Sequence, residues 1–383
     1  MTGAREGSRR PAGCGRAEVA PLIPGGHHAP AAAVRGDAAM IERARKIFPY
    51  VVAAAAALFV VYLWRGRAVD AAGRRGKNEI RLSTMGRGYS DLVVIAYAQK
   101  LFEKEGVVVK PAPIEDGKTA LAKVVDREVD VAVIPDIPFA FDAIAEDRGR
   151  IIATVARAKH DFVVLARKAD GISAPKDLSG KRVGVEDQLG ARYLLGLFLK
   201  RHGLSEKDVT VVAMKPKRLA AAFAENNVAA IADGLGDRHA FMRDVRSQLG
   251  DVLVELRERD LHRLHVNLVT SKDFAKQNPE LLRRFMRAML AANDLFESRR
   301  DEAASAVRKT RRIDDEKLSK EWAPLLHEIT LTQPLLDGME EQARWFKDSG
   351  RGWGEVKIPS YADMLWSGAL RELRPSAVKL RPP

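Results

Sequence analysis

Four acidic side chains, Asp136, Glu186, Asp187 and Asp233, each stand just past a short apolar or β-branched run that predicts a strand. Ligands of open α/β sheets bind beyond the carboxyl ends of strands, beside helix N-termini. Facing one cleft, four carboxylates would repel an anion and favour a cationic or hydrogen-bond-donating ligand, such as an amine or an aminopyrimidine. Acids are also favoured at helix starts for capping and dipole reasons, so solvent-exposed capping is the competing reading of each. Thr84, Tyr89 and Gln188 share these loops with Gly86, Gly88 and Gly190. Tyr89 would stack on a ligand or else join the core. The glycines would let backbone N–H groups approach a ligand, or else simply form turns.

Other chemistry finds little support. The chain has one cysteine, Cys14, so it forms no intrachain disulfide and no cysteine-rich metal site. His262 and His265 are three apart, but they alternate with Leu261, Leu264, Val266 and Leu268. That pattern predicts histidines of a strand or loop rather than a metal pair. The chain contains no HExxH, no GxSxG, no P-loop and no GxGxxG after the first strand. We expect no metal, no cofactor and no enzymatic activity.

The formal net charge of +13 is unevenly spread. Residues 1–78 hold 13 of the 64 basic residues and 5 of the 51 acidic ones, so the remainder is close to balanced. We therefore expect no nucleic-acid partner. Residues 1–39 are rich in Gly, Ala, Pro and Arg, a composition expected to stay disordered. Met40 opens what resembles a natural start. Arg43, Arg45 and Lys46 precede the uncharged run Phe48–Trp64, which sits at the lower length limit for crossing a bilayer. This run is expected to be a membrane anchor or a cleaved signal peptide. The basic residues Arg65, Arg67, Arg74, Arg75 and Lys77 that follow do not by themselves favour export of the C-terminal part.

From Glu79 onward, strand and helix patterns alternate. Strands are predicted at 79–83, 107–109, 130–134, 151–156 and 162–166, with helices at 89–103 and 119–127 and another after Pro138. The theme repeats with strands at 182–185, 209–213 and 228–232, and helices at 191–202, 219–225 and 236–245. Residues 261–270 look extended, and Asn278-Pro279-Glu280 opens a long amphipathic helix. Such alternation predicts α/β units with a parallel-rich sheet, in two halves.

Several segments carry a resemblance to a known family. Asp177-Leu178-Ser179-Gly180-Lys181-Arg182-Val183-Gly184-Val185 is the strongest. Phe102-Glu103-Lys104-Glu105-Gly106-Val107, Ala120-Leu121 through Glu128-Val129-Asp130-Val131-Ala132, Gly203-Leu204 through Asp208-Val209, and Trp345 through Gly350 follow the expected order. Together they span roughly 79–370 and resemble the nitrate/sulfonate/taurine-type, thiamine-pyrimidine-synthase-like group of bilobal solute-binding proteins that serve ABC importers. Ile134-Pro135-Asp136 and Asp233-Gly234-Leu235-Gly236 depart from the family's usual loops. The resemblance implies a periplasmic-binding-protein type II fold: two α/β lobes joined by a two-crossing hinge. Lobe one would be 79–167 plus 268–383 and lobe two 172–265, with crossings near 168–171 and 266–270. It further implies capture of a small polar molecule by lobe closure, with an ABC permease and ATPase complex as partners. The location would be the periplasm or extracytoplasmic face, either tethered through 48–64 or secreted. A same-fold enzyme of the menaquinone-pathway type and a membrane-anchored ligand sensor are the alternatives.

Overall fold

The computed structural model describes residues 76–381 except 87, 114–115, 234–239 and 351–356. All of these belong to one unit, 67–383. The expected tail (1–39) and the apolar run 48–64 lie outside the described residues. No helix among the described residues is long and apolar enough to cross a membrane.

Ten strands form the scaffold: β1 (Glu79–Ser83), β2 (Val108–Pro111), β3 (Val131–Pro135), β4 (Gly149–Arg167), β5 (Arg182–Glu186), β6 (Thr210–Met214), β7 (Ala230–Asp233), β8 (Leu253–Ser271), β9 (Leu325–Thr332) and β10 (Val378–Lys379). The order across the main sheet is β2-β1-β3-β8-β4-β7-β5-β6, with β9 beside β4 and β10 beside β9. β1 runs parallel to β2 and β3, and β5 runs parallel to β6 and β7. Helices follow these strands, as parallel neighbours require a crossover. Val131, Ala132, Val133 and Ile134 are all fully buried. That explains why β3 reads as a continuous apolar run rather than an alternating one.

β4 and β8 are 19 residues each, long enough to span roughly 60 Å. They pair antiparallel from Gly149↔Ser271 to Arg167↔Leu253. Along the way their outer neighbours change. β4 lies against β9 at Thr154–Ala158 and against β7 at Val163–Ala166. β8 lies against β3 at Val266–Thr270. Two strands were expected at 151–156 and 162–166, because Arg157-Ala158-Lys159-His160-Asp161 looks like a polar break. The structure makes them one. Lys159 pairs with Arg263 and His160 with His262, so backbone groups stay satisfied through the polar stretch. Residues 168–170 form a short 3-10 turn beyond the end of β4. The change of neighbours therefore comes earlier than 168–171.

Three apolar clusters lie on this sheet. The largest is built from residues between Ile80 and Ala158 and between Leu264 and Ala377. A second runs from Phe162 to Leu261 and takes in Ile137, and the third runs from Val163 to Val245. The helix expected at 89–103 is two helices, Asp91–Ala98 and Leu101–Lys104. Lys100 between them adopts a left-handed backbone at φ 54°. Beyond this kink Phe102 stacks on Phe285, with centroids 5.1 Å apart and planes within 10°. Phe285 belongs to the long helix Pro279–Ser298, which buries one face, as its apolar periodicity predicts.

Both rings of the Phe102–Phe285 pair are fully buried. Phe285→Ala is expected to destabilise the protein by about 3–5 kcal/mol, through lost burial and the cavity left behind. Urea unfolding of the full chain would measure this. A loss under about 1 kcal/mol would mean that the helix is not anchored there.

Candidate functional site

Asp136 follows Pro135, whose extended backbone (φ −63°, ψ 156°) delivers the chain into the helix Asp136–Ala145. Pro135 is the last β3 residue paired with β8, opposite Val266. Asp136 therefore leaves the sheet beside His265 rather than over one face. It is fully buried. Its Oδ1 accepts from the backbone N–H of Ile137 at 3.0 Å. Its Oδ2 accepts from Gln342 Nε2 at 3.2 Å, and lies 3.4 Å from His262 Nε2 and 3.7 Å from His265 Nδ1. Residues three apart on an ideal strand point to opposite faces. Both imidazoles still reach one carboxylate, because it sits at the level of the strand itself. Burial is the largest influence on the Asp136 carboxyl and pushes its pKa up. The charges and hydrogen bonds of His262 and His265 outweigh it and hold the group below the usual carboxylate range.

Around this carboxylate sit polar atoms with nothing to bind. Tyr193 Oη, Gln342 Oε1 and His265 Nε2 are buried and have no hydrogen-bond partner among the described residues. Tyr193 is held rigidly, edge-on to His262 at 5.8 Å and to Trp345 at 5.4 Å. Burial pushes its phenol pKa up, so it keeps its proton. Buried polar groups without partners are rare and call for an explanation. Tyr193 and His265 line a cavity of about 730 Å³ between β8, the helix Leu189–Arg201 and the helix Gln333–Asp348. Its walls include Tyr193, His262, Arg263, His265, Glu341 and Arg344. The volume lies within the range of small-molecule sites. Among the described residues no group of three His, Cys, Asp or Glu could hold a metal ion.

Gly190 approaches Asp136 through Ile137: a Cβ on Gly190 would lie 3.0 Å from Ile137 Cγ2. Here the glycine permits close approach between the starts of two helices. Glu186 is half-buried at the end of β5, whereas Asp187 and Gln188 are exposed. The N–H of Asp187 donates to Met214 O at 2.9 Å. Asp233 ends β7 opposite Val163 and is buried. Thr84 is half-buried and Gly86 exposed, with open space where a Cβ would be. Tyr89 is buried in the largest apolar cluster.

The loop carrying Thr84, Gly86 and Tyr89 is fastened by a second buried carboxylate, Asp91. Trp322 Nε1 donates to Asp91 Oδ2 at 2.7 Å, and Arg311 Nη1 to the same atom at 3.1 Å. Burial raises this carboxyl's pKa, with Arg311 pulling the other way. His327 Nε2 bonds the Gly88 carbonyl at 2.8 Å, and burial lowers its pKa, so the ring stays neutral and donates.

The sequence reading set His262 and His265 aside as strand or loop histidines and missed Tyr193 and Gln342. The spacing of the two histidines was visible, but their shared partner comes from a segment more than 120 residues away. Tyr193 and Gln342 sit in amphipathic helix patterns that give no hint of function.

Asp136→Ala is expected to cost about 3 kcal/mol or more, because it strands two imidazoles and an amide without their acceptor. The sign of the pH dependence follows from the depressed carboxyl. Its stabilisation is present above the unfolded value, about 4, and is lost as pH falls toward the lower folded value. The stability gap between the parent and Asp136→Asn, from urea unfolding, should shrink as pH falls below about pH 4. A gap that widened in acid would contradict this.

Comparison with known proteins agrees with this architecture. The family model described as NMT1/THI5 like matches residues 90–303, more than half of the chain. A Brucella abortus (strain 2308) protein, named as a candidate binding protein, is 21% identical over 235 residues, covering 61% of this chain and 71% of its own. The periplasmic aliphatic sulphonate binding protein SsuA from Escherichia coli superposes with a TM-score of 0.57 at 18% identity, covering 76% of this chain and 92% of SsuA. The alkanesulfonate-binding SsuA from Xanthomonas axonopodis pv. citri, solved with MOPS bound, gives a TM-score of 0.56 at 19% identity, covering 76% and 99%. The chain has the bilobal α/β fold of periplasmic binding proteins, and it belongs to the NMT1/THI5 like family.

Proposed function

We propose that this protein is an extracytoplasmic solute-binding protein of an ABC importer, which captures a small polar molecule between two lobes and delivers it to a permease. The observation that carries this reading is the cavity beside Asp136. Unsatisfied, buried polar atoms of Tyr193 and His265 line it, next to the point where the pairing of β8 with β3 ends. Such groups are stabilised by a ligand that supplies their missing partners. The names of the similar proteins, sulfonate-binding and binding protein, point the same way.

In this reading 79–167 with 268–383 form one lobe and 172–265 the other, hinged on β4 and β8. Ile137, at the head of a helix that follows β3, packs into the cluster built mostly from 162–261. Ligand would favour this apposed arrangement by binding it more tightly than an open one. The run 48–64 would tether the protein to the membrane or direct its export.

Thermal unfolding of the full chain against amines, aminopyrimidines, sulfonates and aromatic acids tests the reading. A ligand at about a hundredfold over its Kd adds about 2.7 kcal/mol. That should raise the Tm by about 5 °C, and more at higher concentration. Turnover of a bound compound, or no concentration-dependent rise with any of them, would count against a transport role.

A further inference from the structure

We propose that His262 and His265 hold the acid group of a small organic anion, a carboxylate or a sulfonate, and that capture weakens as pH rises because the imidazolium form does the holding. This deepens the solute-binding reading and rests on it.

The geometry gives each histidine two tasks. Neither ring nitrogen of His265, which lines the cavity, has a hydrogen-bond partner among the described residues: Nδ1 stands 3.7 Å from Asp136 Oδ2, and Nε2 is open to another group. A carboxylate on one ring nitrogen keeps a proton there and orients the other nitrogen toward whatever enters. His262 presents its Nε2 to the same carboxylate and also lines the cavity. Two imidazoles thus share one negative charge. The first imidazolium neutralises Asp136, and the second leaves a net positive charge at the cavity wall. The Tyr193 hydroxyl beside them adds a neutral donor.

The charged groups lining the cavity are mostly basic. β8 adds Arg263. The helix Leu189–Arg201 adds Lys200 and Arg201, the latter bound to Glu258 at 2.7 Å. The helix Gln333–Asp348 adds Arg344, 3.3 Å from Glu340, together with the acids Asp337 and Glu341. Asp337 is drawn outward to Arg381 at 3.5 Å. The helix Asp136–Ala145 carries Asp136, already enclosed by the two rings, and Asp142, which lies 3.7 Å from Arg148. Four cations against two acids line this cavity, before either histidine is counted. An incoming anion therefore meets a favourable field, and a cation does not.

Calorimetric titration of the full chain at about pH 6 and about pH 8.5 tests this, since an unperturbed imidazole titrates near pH 6.5. Bis-tris propane is suitable because it carries no acid group. The probes are benzoate and ethanesulfonate, whose charges do not change over that range, against putrescine and 4-aminopyrimidine. The expected result is binding of an anion with a Kd about tenfold weaker at the higher pH. His265→Gln should keep the fold by circular dichroism yet flatten that pH dependence. Tyr193→Phe, which removes one hydroxyl, should weaken binding at both pH values and leave the pH slope intact; it serves as the readout should His265→Gln fail to fold. An anion bound equally at both pH values, a slope that survives in His265→Gln, or binding of the amines alone would overturn the inference and leave solute binding standing. No heat from any probe of either charge would count against both.

Discussion

The antiparallel ladder between β4 and β8 is the constraint on which the rest depends. It runs unbroken through three register shifts, from Gly149↔Ser271 to Arg167↔Leu253. Every other strand attaches to it directly or through a neighbour. A strand that spans the whole sheet must satisfy its backbone everywhere, but it need not be apolar everywhere. Where the outer neighbours change, the ladder carries polar side chains: Arg157, Lys159, His160, His262, Arg263 and His265. On β8 three of them, His262, Arg263 and His265, form part of the wall of the cavity.

Two buried carboxylates, Asp91 and Asp136, stand at helix starts near the ends of β1 and β3, and the protein treats them differently. Asp91 is closed off by a permanent cation and an indole: Arg311 and Trp322 fill its oxygens, and Arg311 is itself bound to Glu321 at 2.5 Å. A permanently charged guanidinium and a neutral indole donor suit a loop anchor. Asp136 is partnered by an amide and two imidazoles. A buried charge is costly unless paired. An imidazole is charged only when protonated, whereas a guanidinium is charged permanently.

The expectation of a four-acid cleft counted charges without their neighbours. Asp136, Glu186, Asp187 and Asp233 do end strands or begin the segments after them, as their positions in sequence indicate. Asp187 faces solvent, while Asp136 is enclosed by rings from the far strand. A carboxylate's sign is a property of the residue, but its effect on a ligand depends on what else is within a few ångströms. The cations near the cavity, on β8 and on two helices, come from segments that show no common pattern when read in order.

Local periodicity determined most of the elements. The apolar run of β3, the β-branched β5 and the amphipathic helix Pro279–Ser298 are legible because burial on one or both faces imposes composition directly. The order of motifs carried the fold family as well, since the turns after those elements demand particular residues. The continuity of β4 and the kink at Lys100 were decided only by tertiary structure. So was the meeting of Asp136 with His262, His265 and Gln342. Each depends on a partner distant in the chain, and the hydrogen bonds and desolvation that make the meeting favourable exist only once those segments have packed together.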